Sequence, residues 1–440
     1  MSDMERGGPD VVMGNGAMGG ELGRYASQAL IKGWDQERLS AARVLVIGYG
    51  VLGDPICRTL VTLGIGTLAI ADFDVIEERN LGKQPSLAAG WDGTDGVPKV
   101  EVGCLELSRI NHHVRLEPLC VDIVTGFGAA RYAEYDVVVL AADNYTARYW
   151  PHRYATLMGV PVIECGTEGL YGQVTVTWPD DADAACFACW GNPRERLAQD
   201  VRKSCQGLYL DEHGAKIPML VAPATATAGL ACLEVLKCIF AREEGSAFPG
   251  PVAGMQYLLD GFDVMRPVMG VRLTRRDDCE HHERLDATNA LEYPLADHTM
   301  ISDVRTFVAG SLGCAPEDVA LEVQWDVLHE WVCPHCHVVA TPRTAASRVG
   351  SLVCAACAYV VPESDLDTIP VILHPYLDDG DGLMLADYHL PERHVLRASA
   401  GDWQGYVLPT GTLALCGKEG GPAVVASAMH DRSMNTTVGT

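Results

Sequence analysis

The sequence predicts an α/β fold: a mostly parallel sheet with helices on both faces, followed by a β-rich C-terminal region. Three observations carry this. Short apolar runs at residues 44–47, 67–71 and 135–142 have the length of strands buried on both faces and lack the alternation of half-buried ones. Helical patterns separate them, one running to about Leu63 and another opening at Pro98-Lys99. Past residue 285 the chain turns to Val-, Trp- and Tyr-containing stretches, at 321–331, 359–361 and 385–415, divided by Pro and Gly turns.

Taken in order, the Met- and Gly-rich residues 1–20 read as a flexible arm. The first strand runs directly into Gly48-Tyr49-Gly50-Val51-Leu52-Gly53. Gly48, Gly50 and Gly53 let the backbone turn tightly and bring N–H groups at a helix N-terminus against phosphate oxygens. Pro55 is tolerated in that first helical turn. The second strand ends on Asp72, positioned to accept hydrogen bonds from ribose hydroxyls.

This is a Rossmann-like pattern, and a glycine loop with an acid about 20 residues on fits NAD as well as ATP. Lys99 and Asp143 break the tie. Lys99 opens a helix, and the strand at 135–144 delivers Asp143 at its C-terminal end, where open parallel sheets place ligands. A nicotinamide site has no use for a lysine and a second carboxylate converging on phosphates. An ATP enzyme needs a cation on the phosphates and a carboxylate for magnesium. Asn80 and Lys83, in Asn80-Leu81-Gly82-Lys83-Gln84, add phosphate contacts.

Composition narrows the partners. Lys plus Arg number 33 against 58 Asp plus Glu, a net charge of −25, which argues against a nucleic-acid backbone as partner. No uninterrupted apolar run of about 18 residues and no secretory h-region is seen, so a cytoplasmic protein without membrane contact is expected. Sixteen cysteines in such a chain, several in CxxC pairs, point to thiolate metal ligation and not to disulfides. Cys333-Pro-His-Cys336 and Cys354-Ala-Ala-Cys357 follow C-x2-C-x17-C-x2-C, the spacing of a zinc ribbon, here within about 325–365. Cys57, Cys104, Cys120, Cys165, Cys232 and Cys238 lie in apolar patterns and read as core residues.

An ordered set of motifs over roughly residues 22–285 resembles the ThiF/MoeB-type activating enzymes, the adenylating superfamily that includes ubiquitin-activating proteins and sulfur-carrier adenylyltransferases. The set comprises Arg24-Tyr25 with Gln28, the glycine loop, Asp72-Phe73-Asp74, Asn80-Leu81 with Gln84, Lys99, Asp143-Asn144 with Arg148, Tyr171-Gly172-Gln173, the Cys186 and Cys189 pair, and Ser204-Cys205. The resemblance implies transfer of AMP from ATP to the C-terminal carboxylate of a small ubiquitin-like or sulfur-carrier protein ending in glycine, or of a peptide. It implies a homodimer, a downstream conjugating or sulfur-transfer protein, and nucleotide contacts from Arg24 and Asn144. Cys205 becomes the candidate acceptor of the carrier as a thioester or persulfide; Arg202 and Lys203 beside it favour a lowered thiol pKa. By the same resemblance a zinc site takes Cys186, Cys189, Cys279 and His282, with His281 as the competing fourth ligand.

Three positions depart from the family pattern: Val51 replaces a glycine, Lys83 an arginine, and Ser27 an arginine that in the family reaches the neighbouring subunit's triphosphate. Lys83 keeps a point charge without bidentate geometry, and Ser27 keeps none. These departures permit a second function, a noncatalytic scaffold that binds a ubiquitin-like partner, and the glycine loop on its own allows a third, an NAD-dependent dehydrogenase on the same sheet. The expected organisation is an arm (1–20), an adenylation domain (21–285) and a C-terminal region (286–440) with a helix at 291–313 and the ribbon, suited to docking a protein partner.

Overall fold

The computed structural model describes residues 23–90, 96–191, 196, 219–241, 246–263, 267–286, 288–345, 353–361, 371–378 and 382–416. The predicted arm, residues 197–218 with Cys205, and residues 417–440 lie outside them.

Eight strands form the first sheet: β1 (Arg43–Ile47), β2 (Thr67–Ala71), β3 (Arg115–Leu119), β4 (Val137–Leu140), β5 (Val162–Glu168), β6 (Tyr171–Thr177), β7 (Met255–Asp260) and β8 (Val268–Arg272). Their order is β3-β2-β1-β4-β5-β6-β7-β8. The first five run parallel, and β6 to β8 extend the sheet antiparallel. β2 and β4 are buried along their whole length, as their unbroken apolar runs require of strands covered on both faces.

Helices α1 (Gln36–Ala41), α2 (Gly53–Leu63), α3 (Glu78–Leu81), α4 (Pro85–Gly90), α5 (Lys99–Ile110), α6 (Thr146–Leu157) and α7 (Val221–Ala241) connect and cover these strands. One face carries Ile56 and Leu60 of α2, Leu107 of α5, and Val235 and Ile239 of α7. The other carries Tyr132 and, from α6, Tyr154 and Leu157, in one core with Leu285, Val395, Tyr406, Leu408 and Leu413 from beyond the sheet. α7 is long and apolar enough to cross a membrane by length and composition, but 61% of its most apolar window is buried in the fold and Glu234 pairs with Lys237 on it.

The second sheet holds β9 (Ala290–Tyr293), β10 (Val319–Val332), β11 (Val339–Ala340), β12 (Thr344–Ala345), β13 (Val371–Tyr376), β14 (Leu396–Ala400) and β15 (Trp403–Pro409). Its order is β11-β10-β14-β15-β9, with β12 and β13 also on β10. α8 (Ile301–Leu312) packs on it, and α9 (Thr412–Leu415) follows β15. The helix expected over 291–313 is thus two elements. Residues 290–293 pair in parallel with β15, Pro294 cannot donate a further ladder bond, and the helix begins only at Ile301. Cys57, Cys104, Cys165, Cys232 and Cys238 are buried as expected, whereas Cys120, just past β3, is exposed.

Arg153 of α6 joins the two layers. It is 5% exposed and reaches Glu283 Oε2 and Tyr406 Oη, both at 2.9 Å, while the Tyr406 hydroxyl donates to Glu283 at 2.5 Å. Arg153→Met should lower unfolding free energy in urea by about 3 kcal/mol, because it leaves a partly buried carboxylate and a buried phenol without their charged partner. A change below about 0.5 kcal/mol would show that apolar packing alone holds the seam.

Candidate functional site

The strand order reverses between β1 and β4, and the loops leaving their C-terminal ends form the cleft. Gly48 has φ +92°, and a Cβ there would meet the Ala141–Ala142 peptide at 2.8 Å, so only glycine brings the turn after β1 this close to the end of β4. A Cβ on Gly53 would collide with the Gly48 carbonyl oxygen. Gly50 differs: nothing lies within 4 Å of where its Cβ would be, so the middle glycine faces open space.

Asp72 fastens this turn. Its carboxylate accepts from the Tyr49 N–H at 2.7 Å and from the Asp74 N–H at 2.8 Å. Burial pushes its pKa up, against the neighbouring Lys99 charge. A carboxylate offers about four lone-pair sites, so acceptor capacity remains for ribose hydroxyls. Lys99 is buried at the start of α5 and reaches Asp74 Oδ2 at 2.6 Å. Gln84 donates to the Tyr49 carbonyl and so ties the segment holding Asn80 and Lys83 to the glycine turn; Lys83 itself is exposed.

Asp143 is exposed in the loop between β4 and α6. Asn144 Oδ1 accepts from the Ala147 N–H at 2.6 Å and caps the turn into α6. Arg148 Nε donates to the Ala142 carbonyl at 2.6 Å, and its Nη1 lies 2.9 Å from Glu164, a carboxylate 1% exposed whose pKa burial raises. That pair braces the loop from below. Arg24 lies elsewhere: it donates to the Ile110 carbonyl at the far end of α5, about 16 Å along the helix from Lys99.

Sequence reasoning gave Asp74, Gln84 and Arg148 no role. Their signal was present as position within the motifs, but a motif does not say which partner a side chain meets. Asp54 was also passed over. It is fully buried in the first turn of α2, with the Tyr49 hydroxyl 3.2 Å from its carboxylate.

Two cysteine clusters are assembled as well, the first of them packed against Tyr145, next to Asn144. In the first, the ligand atoms of Cys186, Cys189, Cys279 and His282 lie within 4.8 Å of one another, with Cys186 Sγ at 3.8 Å from Cys189 Sγ and 3.7 Å from Cys279 Sγ. In the second, Cys333 and Cys357 are 3.7 Å apart and Cys336 and Cys354 3.5 Å. Four thiolates about 2.3 Å from a tetrahedral zinc stand about 3.8 Å apart, whereas a disulfide needs about 2.05 Å. Both clusters could hold zinc. His282 Nε2 is 3.1 Å from Cys189 Sγ, while His281 turns inward and shares a proton with His152, Nδ1 to Nδ1 at 2.6 Å.

In the ribbon each CxxC is a matching turn. The Cys333 N–H reaches the Val338 carbonyl at 3.0 Å and the Cys354 N–H the Tyr359 carbonyl at 2.9 Å. The residues after each pair, His337 and Ala358, take φ +57° and +56°. Against desolvation, the N–H groups of Cys357 and Ala356 pull the Cys354 thiol down to about 7.

The sequence profile of the ThiF family matches residues 23–280. The chain belongs to the ThiF family. Among relatives, the molybdopterin-synthase adenylyltransferase of Escherichia coli (strain K12) is 33% identical over 172 residues, which cover 38% of this chain and 68% of the relative. The adenylyltransferase and sulfurtransferase MOCS3 of Bos taurus is 29% identical over 279 residues, 62% of this chain; the match spans little more than half, 56%, of that protein. The crystal structure of E. coli MccB with ATP aligns over 56% of this chain and 67% of that one, at 20% identity and a TM-score of 0.44.

Metal analysis of this ThiF-family chain should give two zinc ions. Structural zinc contributes on the order of 10 kcal/mol in small domains, so Cys333→Ser should lose one ion and unfold the ribbon while the first sheet persists. One ion or none in the unsubstituted protein would refute the assignment.

Proposed function

We propose that this chain uses magnesium-ATP to adenylate the C-terminal carboxylate of a small ubiquitin-like or sulfur-carrier protein ending in glycine. The observation that carries this reading is one run of contacts from Lys99 through Asp74, Asp72 and Tyr49 to Gly48 and the end of β4. It gathers a cation, carboxylates and a glycine turn at the switch point of the sheet, the set that triphosphate chemistry needs. The relatives named as adenylyltransferases support it.

In this reading the phosphates lie over Gly50 and the start of α2, Asp72 accepts from the ribose, and Asp143 holds magnesium. Lys99, with Asn80 and Lys83, neutralises phosphate charge, exchanging its bond to Asp74 for one to the triphosphate. The carrier's carboxylate oxygen attacks the α-phosphorus, a new O–P bond forms, the bond to the bridging oxygen breaks, and pyrophosphate leaves with that electron pair. No proton has to move, so the residues contribute alignment and charge neutralisation. The Cys205 thiolate then attacks the acyl carbon, and AMP departs as the thioester forms. A homodimer, a docking role for the C-terminal region and a downstream conjugating or sulfur-transfer protein complete the proposal. The scaffold reading rests on Ser27, Val51 and Lys83.

Carrier-dependent ATP–pyrophosphate exchange tests the reading. Lys99→Ala should slow exchange roughly 10²–10³-fold, by analogy with loss of one preorganised transition-state donor; an undiminished rate would remove Lys99 from the site, and no exchange with any glycine-terminated carrier would favour the scaffold. Cys205→Ala should abolish a thiol-sensitive carrier adduct and leave exchange intact. An adduct surviving in that variant would assign the step to another cysteine.

A further inference from the structure

Tyr49 is the second residue of the glycine turn, yet its side chain is fully buried. A phosphate-binding turn needs small residues and free backbone N–H groups, so the turn itself does not account for an aromatic ring there. The Tyr49 backbone is engaged on both sides: its N–H donates to Asp72 at 2.7 Å and its carbonyl accepts from Gln84. The side chain adds two further connections. Its hydroxyl lies 3.2 Å from Asp54 Oδ1 in the first turn of α2, and burial pushes the phenol pKa up, so the hydroxyl stays protonated and donates. Asp54 also accepts from the Ser86 N–H of α4 at 3.4 Å and stands 3.5 Å from Arg58 Nε.

The ring then meets α5 at Gly103. A Cβ on Gly103 would stand 2.5 Å from the Tyr49 ring carbon Cζ and 2.8 Å from its hydroxyl oxygen, separations that Cβ atoms do not show, and a fully buried ring in a close-packed core has no free volume to retreat into. Glycine inside a helix is unfavourable, and here the close approach of the ring explains it. Gly103 follows Lys99 by four residues, so the two lie one turn apart on the same face of α5, and both are buried. The separation between the start of α2 and Lys99 is thus set by one phenol ring, held by its hydroxyl at α2 and seated on Gly103 of α5.

We propose that Tyr49 is a positioning residue for the nucleotide: its ring is the spacer that holds Lys99 within reach of a phosphate bound at the start of α2. The proposal rests on the triphosphate reading of the cleft and names what sets the reach of its cation. Tyr49 itself touches no phosphate and acts through α5. A displacement at Gly103 is carried to Lys99, because one turn of hydrogen-bonded helix moves as a unit. Misplacing a group by about 1 Å is enough to spoil its alignment with a charged centre.

Calorimetric titration of the full-length, zinc-loaded protein with magnesium and α,β-methylene-ATP tests this without a carrier. Lys99→Ala should weaken binding about 10–100-fold, the value of one hydrogen bond to a charged group. Gly103→Ala, which drives a methyl group into the ring, should weaken it about tenfold. The double variant should bind within about twofold of Lys99→Ala alone, because both changes remove the same contact. Tyr49→Phe keeps the spacer and should bind within about threefold of the unsubstituted chain, whereas Tyr49→Leu shortens it and should match Gly103→Ala. If Tyr49→Leu does not fold, Gly103→Ala and the double variant decide. Losses from Lys99→Ala and Gly103→Ala that multiply, or a Gly103→Ala protein that binds as the unsubstituted chain does, would overturn the proposal and leave the triphosphate reading standing. An unsubstituted chain that does not bind the analogue overturns both.

Discussion

Asp72 accepts the Tyr49 N–H through one carboxylate oxygen and the Asp74 N–H through the other, so the turns after β1 and β2 are held as one unit. Everything else in the cleft is referred to that carboxylate. It fixes where the glycine turn lies against β4, and it aims Asp74 at Lys99, which sets the start of α5. Burial and the Asp74 charge both oppose its ionisation, while Lys99 and the two backbone donors favour it, and the balance leaves its pKa raised. The ionised form is therefore sustained by the same neighbours that shape the cleft. Protonating Asp72 would remove the acceptor on which both turns depend.

The two clusters that could hold zinc act on a different scale. The first links the 3₁₀ turn at Phe187–Cys189 to the turn at Glu280–His282, two segments far apart in sequence that flank the long helix α7 and the strands beside it. His281, one position from His282, is hydrogen-bonded inside the fold to His152, which also contacts Thr177 of β6 at 3.0 Å. Arg153, the next residue on α6, then carries the connection to β15 through Tyr406. The first cysteine cluster, α6 and the second sheet are thereby connected, and the C-terminal region shares a core with the first sheet.

The parallel sheet was legible because strands buried on both faces must be continuously apolar, and β1, β2 and β4 are short enough that nothing else fits. The ribbon was legible because metal ligation demands cysteines at fixed spacing. Residues 290–293 were not, since four residues of a parallel edge pairing look like the start of the helix that follows. Cys120 was misread for a similar reason: an apolar neighbourhood in sequence does not say on which side of β3 a residue emerges. The choice between His281 and His282 turns on which imidazole faces the thiolates, a matter of tertiary packing that spacing leaves open. The Lys99–Asp74 and Arg148–Glu164 pairs were hidden because each joins residues on separate elements.

The proposed function requires a triphosphate between Gly50 and Lys99 at the switch point of the first sheet. A crystal structure with a nonhydrolysable ATP analogue and magnesium tests it most directly. The expected result has Lys99 Nζ released from Asp74 and bonded to phosphate oxygens, the ribose on Asp72, and the metal on Asp143. A nucleotide bound elsewhere, with Lys99 still paired to Asp74 and the space over Gly50 filled by solvent, would contradict it.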